Sequence, residues 1–222
     1  MLILAFDTSS KTASVAILRD HVIVYDVMIN AGLNHSEVLL PAIENACRQT
    51  GINITDVDLF ACTTGPGSFT GLRIGVSTLK GFMLATGKPA VGVSSLAALA
   101  LNAGKSSKKI CSIMDAGRGQ VYYASFKYNS KGLLRQVEKE QVLNPSHITY
   151  DKKTLYVGGG VEAYSEMVHT DHKIKIVSSS QRYIRASSVA ILGKEKFDRN
   201  ELLNLETFIP VYLRSTDVED KQ

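Results

Sequence analysis

The sequence predicts an α/β protein built from two halves of similar design. Apolar runs separated by turn residues indicate the order β-β-β-α-β-α-β-α, and this order occurs twice along the chain. Each half opens on an apolar strand that ends in an aspartate before a tight turn, at Asp7 and at Asp115. With 222 residues, 45% of them hydrophobic, the chain can bury a core as one large or two small domains. Three strands followed by alternating helices predict mixed sheets with helices on their faces.

In the first half, short apolar runs predict strands and longer periodic segments predict helices. Asn34 or Ser36 can cap the first helix, and Pro41 lies early enough in it that its missing amide costs little. Ser94 or Ser95 can cap the third helix. The predicted strands are 2–7, 13–18, 22–28, 59–63 and 90–93, and the predicted helices are 34–49, 71–86 and 95–101.

A small, polar and lysine-rich segment at 102–109 is the best candidate for a linker between the halves. We therefore predict an N-terminal lobe at 1–104, a C-terminal lobe at 105–214 and a flexible tail at 215–222. In the C-terminal lobe we predict strands at 110–115, 120–127, 134–143, 154–157 and 173–177, a helical turn at 145–146, and helices at 161–167 and 187–197.

The duplicated order resembles the actin, sugar-kinase and Hsp70-like ATPase superfamily, whose lobes have a ribonuclease H-like fold. In that superfamily two paired hairpins hold phosphates, and a glycine-rich turn before a helix receives adenosine. Gly158-Gly159-Gly160 stands in the place of that turn, and Asp7 and Asp115 are the natural carboxylates for magnesium or water activation. The turn after Asp7 has no glycine, so side chains would crowd a phosphate. A structural aspartate that caps each turn is therefore favoured over a catalytic one.

Residues 65–73 read Gly-Pro-Gly-Ser-Phe-Thr-Gly-Leu-Arg and form a glycine-rich loop between a buried strand and a helix. Free amides and the helix dipole favour an anion at such a place. No Gly-Lys-Ser/Thr closes the loop, and its glycines lack the G-x-G-x-x-G spacing, so neither a P-loop nor a dinucleotide fingerprint fits. A turn that lets the following helix pack tightly is favoured over a phosphate cradle.

The two long helices of the first half carry more apolar surface than one sheet can cover. At about 100° per residue, Arg73 and Lys80 lie side by side in a thin charged stripe on an otherwise apolar helix. Excess apolar surface on neighbouring helices predicts a protein–protein interface, and the alternative is a helix buried between the protein's own domains. The predicted interface residues are Val38, Leu39, Ala42, Ile43, Ala46, Leu72, Ile74, Val76, Leu79 and Met83.

Groups for catalysis or metal binding are scarce. His35 begins a helix, but Leu39 stands where a second metal-binding histidine would be. Glu166, His169 and His172 form another candidate set for zinc, with no further ligands near them in the sequence. No nucleophile, base and acid occur together in a recognised pattern. We predict no catalytic, cofactor or metal site in this chain.

The composition indicates a cytoplasmic protein and leaves nucleic-acid binding open. Cys47, Cys62 and Cys111 are widely spaced among apolar neighbours, as buried free thiols in a reducing compartment are. No apolar run approaches the roughly 20 residues of a membrane span, and the N-terminal run is too short for a signal peptide. The net charge is +4, with lysines clustered at 105–109 and 152–153. Such clusters suit solvated loops or work near nucleic acid, and charge alone does not decide between them.

Five segments in the same order carry a resemblance to the TsaB family, also called YeaZ, over nearly the whole chain. They read Leu-Ala-Phe-Asp-Thr-Ser at 4–9, His-Ser-Glu and Leu-Leu-Pro at 35–41, the glycine-rich loop and helix start at 65–75, Met-Asp-Ala and Arg-Gly-Gln-Val-Tyr at 114–122, and Pro-Val-Tyr-Leu-Arg at 210–214. The glycine-rich loop is close to diagnostic. Gly117 departs from the arginine that the family often has, which affects only statements about that turn.

The resemblance implies a two-domain actin-like fold without activity of its own and a role in tRNA N6-threonylcarbamoyladenosine modification. It implies that a larger relative, TsaD, carries the metal-binding histidine pair and transfers threonylcarbamoyl from threonylcarbamoyl-AMP to the adenosine beside the anticodon. The smaller protein pairs with TsaD through its N-terminal helices and works with the small ATPase TsaE. ATP and metal then belong to the partner subunits, and tRNA is reached through the complex.

Without TsaD, the same helices can pair in a homodimer. The alternatives to this function are a small-molecule kinase and a metallopeptidase of the same superfamily.

Overall fold

Two sheets and five helices organise the computed structural model, which describes residues 1–30, 32–164 and 174–214. The strands are β1 (Leu2–Asp7), β2 (Ala13–Arg19), β3 (Val22–Ile29), β4 (Leu59–Gly65), β5 (Ala90–Ser94), β6 (Lys109–Gly117), β7 (Gln120–Tyr128), β8 (Leu134–Leu143), β9 (Thr154–Val157) and β10 (Lys175–Ile176). The helices are α1 (His35–Thr50), α2 (Phe69–Thr86), α3 (Ser95–Asn102), α4 (Gly159–Ala163) and α5 (Ala186–Asp198).

Each sheet combines antiparallel and parallel strands. The first has the order β3-β2-β1-β4-β5 and the second the order β10-β9-β6-β7-β8. β1 pairs antiparallel with β2, with Phe6 opposite Val15, and parallel with β4, with Phe6 opposite Cys62. β6 likewise pairs antiparallel with β7 and parallel with β9. Parallel neighbours need a crossover connection, and α2 provides it between β4 and β5.

The central strand β1 is buried because helices cover both faces of the first sheet. Alternate side chains of a strand point to opposite faces. Leu4 and Phe6 pack under α1 and α2, in the same cluster as Leu79. Ile3 and Ala5 belong to a second cluster on the other face, which extends into the second sheet. One continuous core therefore joins the two halves of the chain.

Helix α5, which lies in the predicted C-terminal lobe, packs on the first sheet. A Cβ at Gly193 would lie 2.9 Å from the Ala61 methyl, so only a glycine allows this approach to β4. Arg185 and Ser187 donate hydrogen bonds to the Asp26 carboxylate of β3 at 2.9 and 2.7 Å. Helix α3, in turn, packs on β6 and β7. The predicted limit at 104/105 separates the two sheets. Helix α5 of the second half nevertheless covers one face of the first sheet, and helix α3 of the first half covers one face of the second sheet.

Differences between predicted and observed helices in the first half lie at the ends. α2 begins at Phe69 instead of Gly71, because Ser68 caps it and its hydroxyl accepts a hydrogen bond from the Gly71 amide at 3.2 Å. Ser94 caps α3 in the same way and accepts from the Ala97 amide at 3.0 Å. Both caps satisfy backbone donors that a helix start leaves free.

The second half follows the predicted order with a reduced first helix. Where the first half has α1, the second has only a 3₁₀ turn at Pro145–His147, beside the predicted helical turn. α4 begins at Gly159, and the predicted residues 165–167 of that helix lie outside the described residues. The predicted tail at 215–222 also lies outside them.

Replacing Leu79 by alanine tests the core under α1 and α2. Leu79 is fully buried, so the truncation removes apolar contacts and leaves a cavity. We expect the free energy of unfolding, measured by urea titration, to fall by about 2–5 kcal/mol. Leu84→Ala on the same helix is the matched control, because Leu84 is 72% exposed and should contribute less than about 0.5 kcal/mol. Equal losses in both variants would contradict this assignment of core and surface.

Candidate functional site

The carboxylate of Asp7 lies buried where β1 ends and the turn to β2 begins. Its Oδ1 accepts hydrogen bonds from the Ser9 amide at 3.1 Å and from the Ser9 and Thr63 hydroxyls, both at 2.6 Å. Its Oδ2 has no hydrogen-bond partner among the described residues. Burial raises the pKa of Asp7, while the hydrogen bonds from Ser9 and Thr63 and the nearby His35 oppose the rise. Asp7 thus ties the end of β1 to its own turn and to β4.

The glycine-rich loop lies directly on the turn that follows Asp7. The Ser68 amide donates to the Ser9 carbonyl at 2.7 Å, and the Thr8 hydroxyl donates to the Gly71 carbonyl at 2.7 Å. A Cβ at Gly67 would overlap the Ser9 carbonyl oxygen, and one at Gly71 would overlap the Thr8 carbonyl oxygen. The loop glycines therefore allow backbone to pack on backbone. In this arrangement the Ser68 amide, a natural donor to a phosphate, is already bound to protein.

The segment 211–214 closes over the same loop from the other side. The Val211 amide donates to the Thr64 carbonyl at 2.7 Å, and a Cβ at Gly65 would overlap the Val211 carbonyl oxygen. The Tyr212 ring lies 4.7 Å from the Phe69 ring, centroid to centroid. We call this arrangement the junction; it comprises residues 7–10, 63–71 and 211–214.

The second sheet contacts the junction through its own turn. Arg214 donates a hydrogen bond to the Ala116 carbonyl at 2.8 Å, and the Tyr122 hydroxyl lies 3.4 Å from the Gly67 carbonyl oxygen. The exposed Asp115 caps this turn, because its Oδ1 accepts from the Gly117 amide at 2.8 Å. The Tyr164 hydroxyl donates to the same oxygen at 3.1 Å. Both aspartates thus hold the turns that follow them.

The glycines at 158–160 serve close packing on β6. A Cβ at Gly158 would overlap the Ile113 carbonyl oxygen, and one at Gly160 would lie 2.8 Å from the Ile113 side chain. Gly158 also has a φ of 117°, a conformation that side chains rarely adopt. These contacts account for Gly158 and Gly160 without a ligand.

Most residues of the predicted helical interface are buried in this chain. Eight of its members lie in the chain's own core: Leu39, Ala42, Ile43, Ala46, Leu72, Val76, Leu79 and Met83. Val38 and Ile74 are half-buried. The apolar arc of each helix is wide because it covers a sheet of large apolar side chains, Phe6 and Phe60 among them. Leu39, 1% exposed, and Val76, 5% exposed, are therefore unsuitable for testing an interface.

An exposed groove along α1, bordered by Phe82 of α2, lies next to these buried residues. It has a volume of about 700 Å³, and its lining is largely apolar. Leu40, which is 55% exposed, lies on its wall with Pro41, while Glu44 and Arg48 add charge. The Phe82 ring stacks on Phe60 at 5.1 Å between centroids, so that wall is anchored in the core.

The histidine at the start of α1 and the three cysteines have structural roles or apolar surroundings in the fold. The His35 Nε2 lies 2.7 Å from the Ser10 carbonyl oxygen, so an Nε2–H can donate to it and hold the turn. Cys47, Cys62 and Cys111 are free thiols; Cys62 and Cys111 are buried as predicted, whereas Cys47 is half-buried. Burial raises the pKa of Cys111 to about 11. Within the described ranges, no three His, Cys, Asp or Glu side chains group as a metal site. The candidate set at 166–172 lies outside those ranges.

Comparisons with known proteins fit this architecture. A family model described as TsaD, tRNA N6-adenosine threonylcarbamoyltransferase, matches residues 29–221. The Bacillus subtilis TsaB, named a tRNA threonylcarbamoyladenosine biosynthesis protein, is 33% identical over 100% of this chain and 97% of its own length. The chain belongs to the TsaB family. Among the described helices, none combines the length and the apolar character that a membrane crossing needs.

Solved structures confirm the fold that the TsaB resemblance implied. A Pseudomonas aeruginosa protein described as similar to peptidase YEAZ superposes with a TM-score of 0.84 at 27% identity, over 96% of this chain and 99% of that one. Component A of the (R)-2-hydroxyglutaryl-CoA dehydratase of Acidaminococcus fermentans gives a TM-score of 0.53 at 12% identity, over 88% and 98%, and shows the fold alone. The predicted duplicated actin and sugar-kinase-like α/β fold is confirmed.

The segments that carried the TsaB resemblance meet at the junction. The turn after Asp7, the start of α1 at His35, the glycine-rich loop and the segment at 211–214 are joined by the contacts described above. Leu40, which the predicted interface list did not include, lies on the wall of the groove. It belongs to the apolar arc of α1, and only its 55% exposure distinguishes it from its buried neighbours.

Asp7→Asn tests the buried carboxylate through the pH dependence of stability. Folding raises the pKa of Asp7 above its unfolded value of 3.8. At a pH between these two pKa values, the folded protein holds a proton that the unfolded chain has lost. The free energy of unfolding of the wild type should therefore decrease as pH rises from about 4 through the raised pKa. Asparagine keeps the Oδ1 acceptor and cannot ionise, so this decrease should be absent when unfolding is measured by urea titration across that range.

The exposed Asp115→Asn is the control for this experiment. It leaves Asp7 in place and should keep the wild-type dependence on pH. A wild-type dependence in Asp7→Asn would show that the buried carboxylate does not titrate as described.

Proposed function

We propose that this chain is the non-catalytic subunit of the machinery for tRNA N6-threonylcarbamoyladenosine modification, and that it binds and supports a catalytic TsaD-type subunit. The full-length similarity to a curated TsaB, at 33% identity, carries this proposal. The match to the TsaD family model fits a protein that shares the fold of its catalytic partner.

The packing of the junction favours a non-catalytic subunit over an ATPase. In an ATPase of this superfamily the turn after the first strand holds phosphate. Here the turn after Asp7 is covered by the glycine-rich loop, with the Ser68 amide bound to Ser9 and Gly67 and Gly71 in backbone contact. A phosphate at this turn would have to displace these contacts. The loop instead anchors the start of α2.

The partner that we propose for the groove beside α1 and α2 is the TsaD-type subunit. A largely apolar groove of about 700 Å³ suits an apolar side chain or helix of another protein. Glu44 and Arg48 at its wall can set the orientation of a partner through charge. Two copies of this chain would present the same surface to each other, so we also propose a homodimer when the partner is absent.

ATP and metal belong to the partner subunits in this proposal, with a TsaE-type ATPase completing the complex and tRNA reached through it. The proposed location is the cytoplasm. The three free cysteines support a reducing compartment, where thiols stay unpaired.

Leu40→Glu tests the proposed partner surface. The change places a carboxylate in the apolar groove, and because Leu40 is 55% exposed the fold should survive. We expect loss of co-purification with the TsaD-type subunit of the same organism and loss of threonylcarbamoyladenosine in its tRNA, measured by mass spectrometry of nucleosides. Val137→Glu on β8, where Val137 is 57% exposed, is the matched control and should retain both. Normal co-purification of Leu40→Glu would place the interface elsewhere.

Titration calorimetry of the isolated chain with ATP separates the supporting subunit from a small-molecule kinase. Because the turn after Asp7 is covered by the loop, we expect no heat of binding at micromolar ATP concentrations. The TsaD-type subunit, titrated alone, is the positive control. Micromolar ATP affinity of this chain by itself would favour the kinase, and stoichiometric zinc or iron in the purified chain would favour the metallopeptidase.

A further inference from the structure

A lysine-rich cleft lies at the edge of the second sheet where β6 and β9 begin. Its volume is about 450 Å³, and the charged side chains that line it are Lys108, Lys109, Lys127, Lys152, Lys153 and Asp151. Parallel pairing of β6 with β9 brings the two lysine clusters of the sequence together, since Lys109 is opposite Thr154. β7 runs antiparallel to β6 and adds Lys127 near its end. The cleft lies roughly 25 Å from the turn at 115–117, the length of β6.

Positive charge predominates in this cleft. Five lysines against one aspartate leave a surplus of four positive charges in its lining. Lys109 pairs with Glu138 at 3.3 Å. Lys127, Lys152 and Lys153 form no ion pair with another described residue. These three ammonium groups are therefore available to an anion.

Hydrogen bonds hold the two loops of the cleft together. The Asp151 carboxylate accepts from the Lys153 amide at 2.7 Å and from the Thr154 hydroxyl at 3.1 Å, which fixes the turn that carries Lys152 and Lys153. Lys108 donates from Nζ to the Lys152 carbonyl at 2.9 Å and so links the loops before β6 and β9. These hydrogen bonds hold the lysine-bearing loops together against the repulsion between their like charges.

The chemistry of the lining identifies the kind of anion. The cleft is open, its cations are lysines on flexible stems, and none of the described residues that line it is aromatic, as base stacking would require. Such a surface suits the repeated phosphates of a nucleic-acid backbone better than a single enclosed phosphate. We propose that the cleft binds the phosphate backbone of the tRNA, away from the modified base, through Lys127, Lys152 and Lys153. This inference rests on the proposed function, which supplies tRNA as the nucleic acid.

The test uses the complex of this chain with its TsaD-type and TsaE-type subunits, and unmodified tRNA in a filter-binding titration at several salt concentrations. The variant is K127Q/K152Q/K153Q. The logarithm of affinity falls with the logarithm of salt concentration, and each lost phosphate contact lowers that slope by about 1. We expect weaker binding and a slope lower by about 2–3. K127R/K152R/K153R keeps the charges and should bind as the wild type does.

K88Q/K139Q/K194Q removes the same charge elsewhere and should change neither the affinity nor the slope. An unchanged slope in K127Q/K152Q/K153Q, an equal loss in the control triple, or displacement of tRNA by free ATP would overturn the proposal.

Co-purification of the subunits is measured first. If the wild-type chain does not assemble with the TsaD-type subunit, the proposed function fails, and the same titration on the chain alone still decides whether the cleft binds tRNA.

Discussion

The contact between the glycine-rich loop and the turn after Asp7 is the constraint on which the rest of the structure depends. Gly67 and Gly71 lie so close to the carbonyls of Ser9 and Thr8 that no side chain fits between them. Hydrogen bonds from Ser68 and Thr8 then fix the start of α2 over β1. With α2 in that position, Leu79 can fill the core above Phe6. The same contact takes up the turn in which an ATPase of this superfamily would hold phosphate.

The two halves of the chain share one apolar core. α5 covers the first sheet and α3 the second, so one apolar cluster runs through both. Asp26 holds the start of α5, and Arg214 brings the end of the described chain to the second sheet. These contacts oppose separation of the two halves, as suits a subunit that presents fixed surfaces to others.

The surfaces that remain for partners lie on different sheets and differ in chemistry. The groove beside α1 and α2 is largely apolar, which suits another protein. The cleft at the start of β6 carries a local surplus of positive charge, which suits a polyanion. Because their lining residues are separate, a subunit could occupy the groove while tRNA contacts the cleft. Both proposals place the function of this chain on its surface. In both, the junction holds the elements that carry these surfaces in position.

The sequence by itself determined the order of elements, the duplication, the aspartates that cap the turns and the family, since these follow from local periodicity and from motifs such as residues 65–73. It did not determine which apolar residues are exposed. Leu39 and Leu40 are neighbours on one helix, yet only the position of α1 over the sheet buries the first and leaves the second in solvent. Nor did it show that lysines 44 positions apart, Lys108 and Lys152, share one cleft. Tertiary structure decided both points, because burial and charge density depend on which segments the strand pairing brings together.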